Sequence, residues 1–378
     1  MSVREYWEAV VRGDSRGAAA SVFAVALRLA SLLQWLALHA NLAVYRVGLR
    51  QRQRLDCPVL VVGNLTLGGT GKTTTTAYLV RRLAERGVRA GVVLRGYGRK
   101  IGNVPLLVGD GERILASPEE GGDEAVMLAS MLPGHPVAVG LRREQVSRLL
   151  RRETGVDVVV LDDGFQYFRL HRDADIVLVD ASRPIESDAL FPAGTLREPH
   201  HHLRRATQVW LTHAELVEPE RIHSLREWIT AQAPDVPVVV AEHQPRGMRS
   251  LGSCPPPGPG AKVVALSALG NPLSFEASVA RLGYEVRPFR LPDHHDYSEA
   301  DWNAIRAAAS SVEAEHIITT EKDATKLPSP VPADLAVHVL GCELAIREGH
   351  DSVDHIIEAT SACASTRNTP SGAPLSAC

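Results

Sequence analysis

The stretch PVLVVGNLTLGGTGKTTTT, residues 58–76, decides the fold. Its first half is a continuous valine-rich apolar run, the pattern of a strand buried on both faces of a parallel sheet. A glycine-rich turn follows at Gly68-Gly69-Thr70-Gly71, and then Lys72 and Thr73 open a run with helical spacing that stops at Gly87. Strand, glycine loop and helix in that order make a phosphate-binding loop: its backbone N–H groups and the positive end of the helix dipole face an anion. Thr66, Gly68, Gly69, Thr70, Gly71, Lys72 and Thr73 are the candidate nucleotide-binding residues, with Lys72 placed to reach β- and γ-phosphates and the Thr73 hydroxyl to ligate Mg²⁺. Thr66 stands where the G-x-x-x-x-G-K-[ST] pattern has its first glycine.

Outward from this loop, short apolar strands alternate with helical segments: RAGVVLR, PVAVG, VDVVVLDD, ADIVLVD, TQVWLTHA and VPVVVAEHQP. That alternation predicts an α/β fold with a parallel sheet covered on both faces. VDVVVLDD ends in Asp162 and Asp163, which the fold brings beside the phosphate loop, where a carboxylate holds the metal; either aspartate could instead cap the next turn. Asp180, at the end of the following strand, reads as structural or near the substrate.

The Pro/Gly cluster GSCPPPGPG suggests a linker. A second α/β segment follows: KVVALSAL, a helix around Ser274–Leu282, YEVRPFRL, a helix from Ser298, and HIITTE. The expected organisation is an N-terminal helical segment over 1–56, a P-loop core lobe over 57–245, a linker over 246–260, a smaller α/β lobe over 261–352, and a disordered tail over 361–378. His200-His201-His202 lacks strict metal-ligand spacing and reads as a polar surface loop.

The chain has 378 residues, 45% of them hydrophobic, and a formal net charge of -3, so no global pull toward nucleic acid exists. Five cysteines without a C-x-x-C pair fit reduced thiols in a cytosolic compartment. Ala18 to Leu38 is mostly apolar with Arg28 in its middle. An interfacial helix lets the arginines snorkel to headgroups, whereas a span would bury Arg28 at a cost of about 2.5–3.5 kcal/mol; an ordinary core helix is the third alternative.

Seven motifs in one order give the chain its resemblance to a known family: Gly63-Asn64-Leu65-Thr66 running into Gly68-Gly69-Thr70-Gly71-Lys72-Thr73; Arg95-Gly96-Tyr97-Gly98; Gly122-Asp123-Glu124; Asp162-Asp163-Gly164-Phe165-Gln166; Pro192-Ala193-Gly194-Thr195-Leu196-Arg197-Glu198-Pro199; Asp293-His294-His295-Asp296-Tyr297; and Thr319-Thr320-Glu321-Lys322-Asp323-Ala324-Thr325-Lys326. The chain resembles the tetraacyldisaccharide 4′-kinases over roughly residues 20–330. The resemblance implies two Rossmann-like α/β/α lobes with the site in the cleft, an apolar N-terminal helix at the membrane, and transfer of the ATP γ-phosphate to the 4′-hydroxyl of an acylated disaccharide 1-phosphate at the cytoplasmic face of the bacterial inner membrane. Thr74, Arg99 and Tyr167 depart from the family's usual proline, glycine and histidine.

A sugar hydroxyl is a weak nucleophile and needs a base. With the resemblance, Asp123 and His294 form the candidate base pair; alone, Asp123 could cap the helix beginning near Glu124. Glu124 and Gln166 are further metal candidates beside Thr73, Asp162 and Asp163. Arg95, Tyr97, Arg143 and Arg197 are candidates for substrate binding, arginine suiting phosphate and tyrosine stacking on a ring. The rival reading is a deviant-Walker membrane-associated ATPase or nucleotide switch, which has Lys where Leu67 stands and needs no base. A carboxylate-activating enzyme of a soluble precursor would not need the apolar helix.

Overall fold

The computed structural model describes residues 3–367 apart from 13, 16, 101, 103, 293–294, 328–330 and 332–333. Its strands are β1 Val59–Asn64, β2 Ala90–Leu94, β3 Leu106–Gly109, β4 Val137–Val139, β5 Val158–Asp162, β6 Ala174–Asp180, β7 Gln208–Thr212, β8 Val238–Ser250, β9 Lys262–Ser267, β10 Glu285–Arg290, β11 His316–Thr320 and β12 Ala336–Glu348. Its helices are α1 Val3–Arg12, α2 Ala18–Arg46, α3 Lys72–Ala84, α4 Pro118–Gly121, α5 Asp123–Met131, α6 Arg143–Thr154, α7 Pro219–Gln232, α8 Pro272–Arg281, α9 Glu299–Ser311, α10 Glu321–Ala324 and α11 His350–Arg367.

All the strands join one sheet in the order β10-β9-β11-β12-β8-β7-β6-β1-β5-β2-β4-β3. The pairings are parallel except β3–β4 and β8–β12. Alternation along β1 explains the layering: Leu60 and Val62 enter one apolar cluster and Val59 and Val61 the other, so helices cover both faces. The smaller lobe repeats this with Val264 and Leu266 on one face of β9 and Val263 and Ala265 on the other. β1 lies between β5 and β6, and the crevice beyond the carboxyl ends of these strands is where such sheets bind ligands.

The boundaries differ from the expectation in two places. β8 continues to Ser250, so residues 246–250 of the anticipated linker are strand, paired antiparallel with β12. α11 runs through Ser361, where a disordered tail was anticipated, to Arg367, with Cys363 and Ala364 buried; residues 368–378 lie outside the described residues. The reason is packing: Val353, Ile356, Ile357 and Ala364 complete the cluster of Leu60 and Leu79 in the larger lobe. The chain thus returns from the smaller lobe to the first, and Arg82–Asp354 (2.6 Å) and Arg86–Glu358 (2.9 Å) bridges flank that contact.

Helix α2 is long and apolar enough to cross a membrane. Only 11% of its most apolar window is buried, which excludes an ordinary core helix. Its buried residues, Ala20, Ser31 and Leu42, recur every eleventh position, or about three turns, and so form a single stripe. Val22, Val25, Leu29, Leu32, Leu33 and Leu36 are exposed on the opposite side. The buried stripe rests on the Leu190–Arg197 segment: Ser31 Oγ donates to Leu190 O (2.7 Å) and accepts from Ala193 N (3.0 Å), while Gln34 Nε2 donates to Arg197 O (3.4 Å).

Ile357 is fully buried against the larger lobe. Ile357→Ala is expected to lower the unfolding free energy by about 2–5 kcal/mol, read from the urea midpoint; an unchanged midpoint would show that α11 is not part of the core.

Candidate active site

The phosphate loop leaves β1 at Asn64 and enters α3 at Lys72. Gly71 caps α3 in the left-handed region (φ 79°), and a Cβ there would meet His243 at 2.9 Å. Gly68 also has positive φ (103°) and lies against Arg183, so only glycine suits either place. Thr70 is held from both sides, accepting from Asn64 Nδ2 at 2.9 Å and, through its carbonyl, from Thr212 Oγ1 at 3.0 Å. Thr66 pairs with Leu196, and Leu67 N donates to Thr195 O (2.8 Å), tying the loop to the segment under α2.

Asp162 ends β5 at 4% exposure, and its Oδ1 has no hydrogen-bond partner. Burial, then the charge of Glu124, pushes its carboxyl up to about 7 against the pull of Lys72. A buried carboxylate oxygen without a donor, beside a second carboxylate and the Thr73 hydroxyl in one cleft, is a donor set that fits a hard divalent cation. Asp163 turns the other way, in left-handed backbone (φ 55°). Burial would raise it, but Lys72 (3.9 Å) and Arg197 (2.8 Å) outweigh that and hold it below its ordinary value.

The cleft, about 890 Å³, is lined by both lobes: residues 67–74, Arg95, Tyr97, Glu124, Asp162, Asp163, Gln166 and Arg197 from the larger, and residues 269–271, Phe275 and 320–322 from the smaller. Asp123 begins α5 behind Glu124 and is not the helix cap, a place taken by Gly122. It meets Lys326 of the smaller lobe at 3.0 Å, and the same ammonium lies 3.9 Å from Asp296. His294 lies outside the described residues.

The structure redistributes several candidates. Gln166 donates to Asn64 O (3.0 Å) and accepts from Arg197 (3.3 Å), so both ends of its amide are already used. Arg197 lines the cleft with its guanidinium paired to Asp163. Arg143 is buried with its guanidinium 5.0 Å over the Tyr167 ring and does not line the cleft. Arg95 and Tyr97 do line it. Lys326 was within reach of sequence reasoning as the last residue of TTEKDATK. Arg183 was not: it donates to Leu67 O (3.3 Å) and Gly270 O (2.7 Å), lacing the phosphate loop to the smaller lobe.

Asp180 is held by contacts within the protein. It accepts from Ser182 (2.6 Å) and from Asn271 Nδ2 (3.1 Å) of the smaller lobe, and lies 3.2 Å from His213 Nδ1. His213 stacks on His243, whose Nε2 shares a 2.8 Å hydrogen bond with Thr74. Three departures from the family pattern thus become local contacts: Thr74 to His243, Arg99 Nε to Glu120 O (2.6 Å), and Tyr167, whose hydroxyl donates to Glu144.

Strand, glycine loop, helix and acidic strand end define a P-loop phosphotransferase-type lobe, here closed by a second α/β lobe. The profile of LpxK, Tetraacyldisaccharide-1-P 4'-kinase, matches residues 23–361. A tetraacyldisaccharide 4'-kinase of Geobacter sulfurreducens is 35% identical over 349 residues, 91% of this chain and 96% of its own. One from Syntrophus aciditrophicus is 37% identical over 349 residues, 89% of this chain and 93% of its own. A crystal structure of the "apo" form of LpxK from Aquifex aeolicus in complex with ATP matches with a TM-score of 0.70 and 27% identity, covering 89% of this chain and 99% of that one. The chain belongs to the tetraacyldisaccharide-1-P 4'-kinase family, and the nucleotide-switch alternative is not favoured.

Burial would raise the Asp180 carboxyl, but His213, Ser182 and Arg183 outweigh it and bring it to about 2 from 3.8. A depressed carboxyl stabilises fully above its ordinary value and loses that contribution as pH falls toward the folded one. Asp180→Asn is therefore expected to cost about 1.5–3 kcal/mol at neutral pH, the deficit closing between pH 3.8 and about 2. A deficit independent of pH, measured by urea unfolding, would contradict the pairing.

Proposed function

We propose that the chain transfers the γ-phosphate of ATP to the 4′-hydroxyl of a tetraacylated disaccharide 1-phosphate. Beyond the family, one observation carries this reading: Lys326 of the smaller lobe engages Asp123 at 3.0 Å, next to Glu124 of the phosphate-loop cleft. A nucleotide switch has no use for a cation that a second lobe brings onto a carboxylate beside the phosphate loop. Asp123, with His294, takes the proton of the attacking hydroxyl, and Lys326 holds Asp123 oriented. Backbone N–H groups of residues 68–73 and Lys72 cradle the β- and γ-phosphates. Thr73, Asp162 and Glu124 would hold Mg²⁺, which when bound offsets charge on the phosphate oxygens. Asp163 acts beside them by holding Lys72 and Arg197 in place, and Gln166 by fixing Arg197. Arg95 and Tyr97 are left to meet the disaccharide.

The decisive assay follows label from γ-labelled ATP into the acylated disaccharide 1-phosphate. Lys72→Ala and Asp123→Ala are expected to lower kcat by about 10²–10⁴-fold, and Lys326→Ala to lower it less. Label found only as inorganic phosphate, in folded protein with lipid present, would overturn the kinase reading.

We further propose that α2 lies in the membrane surface on the cytoplasmic side of the inner membrane, where ATP is available. Its docking on residues 190–197 along one side, with the exposed apolar side opposite, suits a helix half-sunk in headgroups better than one leaving the protein to cross the bilayer. Leu29→Glu with Leu33→Glu is expected to abolish sedimentation with anionic vesicles while leaving ATP binding intact; retained sedimentation would place membrane contact elsewhere.

A further inference from the structure

The His200–Arg205 segment forms a short 3₁₀ helix, not the surface loop expected from its composition: His202 and Leu203 are buried. Its histidines diverge. His200 packs edge-on against Trp228 of α7, with ring centroids 5.1 Å apart. His201 and His202 turn instead toward His39 of α2, their rings 6.3 and 5.6 Å from it and 4.6 Å from each other. One nitrogen from each of the three lies within 4.8 Å of the others.

The hydrogen bonds leave the required lone pairs. His39 Nδ1 lies 2.8 Å from Trp35 O; a carbonyl only accepts, so Nδ1 carries the proton and Nε2 is the free ligand atom. His202 Nδ1 lies 2.6 Å from Glu198 Oε2, and Glu198 also accepts from Arg205 (2.7 Å). A carboxylate oxygen already paired with a guanidinium accepts, so His202 Nδ1 donates and Nε2 is again left over. A carbonyl behind one imidazole and a buried carboxylate behind another are the supports that orient metal-ligating histidines. His201 is exposed and able to swing the remaining distance, since ligands around a tetrahedral zinc ion stand about 3.4 Å apart at metal–nitrogen distances of about 2.0–2.1 Å.

We propose that His39, His201 and His202 bind one late first-row divalent metal ion, with zinc the preferred class, leaving its fourth position to water. Three imidazoles without a thiolate or carboxylate in the first shell suit zinc, nickel or copper and not the hard Mg²⁺ of the phosphate site. The ion ties α2 to the segment that follows Arg197, adding a metal bond to the contacts of Ser31 and Gln34.

The test is equilibrium Zn²⁺ binding to the untagged full-length chain with Mg²⁺ in excess, beside His39→Ala, His201→Ala and Cys254→Ser. One equivalent is expected for the wild type and for Cys254→Ser, weakened at least tenfold in each histidine variant. Co²⁺ substitution should give the visible bands of a tetrahedral nitrogen site without a thiolate charge-transfer band. Hydrogen exchange across α2 should slow on Zn²⁺ addition in the wild type and in Cys254→Ser, and in neither histidine variant. No stoichiometric binding, binding unchanged in both histidine variants, or a thiolate band lost in Cys254→Ser would each overturn the proposal. Since His39 and His201 lie at the surface or half-buried, both variants are expected to fold, which circular dichroism checks.

Discussion

Asp162 sits at the end of a strand whose five residues are all buried, and no donor satisfies its Oδ1. Taking a carboxylate out of water without a partner is costly, and the surrounding residues are arranged about that cost. Lys72 lowers it from the P-loop side, while Glu124 from α5 adds a second negative charge that favours a cation beside both. Asp163, turned outward by its left-handed backbone, collects Lys72 and Arg197. Arg197 in turn fixes Gln166, and its carbonyl receives Gln34 of α2. One chain of contacts therefore runs from the phosphate site to the exposed apolar helix.

The same logic accounts for the smaller lobe's place. It supplies Lys326 to Asp123 and backbone or amide groups to Arg183 and Asp180. These are polar contacts over a cleft whose floor is already formed by the larger lobe. Charge complementarity, more than apolar burial, sets the spacing of the lobes there, while the apolar contacts that bind the chain's end to its beginning are those of α11 on α3.

What the sequence made legible follows from range. The P-loop, Asp162 and Asp163 are encoded within a few residues, so strand, loop and helix could be read directly. β3 was missed because Leu106–Gly109 is short and half-buried, and β12 because Gly341-Cys342 interrupts its apolar run at a register shift. Arg197 was expected to face substrate; that it is held by Asp163 depends on a fold-level contact across 34 positions. The contacts of Gln166 with Asn64 and Arg197 depend on the fold in the same way. The histidine tract looked inert because spacing rules see only nearby residues, and its third partner, His39, stands on α2 far earlier in the chain.

The antiparallel ladder between β8 and β12 carries the sheet from one lobe to the other, paired from Val240 with Glu348 to Ser250 with His338. Two lobes joined in this way are not bodies swinging on a string; they are the ends of one plate. Any change in the gap between Lys326 and Asp123 has to be absorbed as bending and twist along hydrogen-bonded backbone, most easily where the pairing slips between Gly341 and Cys342. The cleft then works as a leaf spring: a ligand that draws the lobes together does so against the stiffness of the sheet, and that stiffness restores the resting gap once the ligand departs.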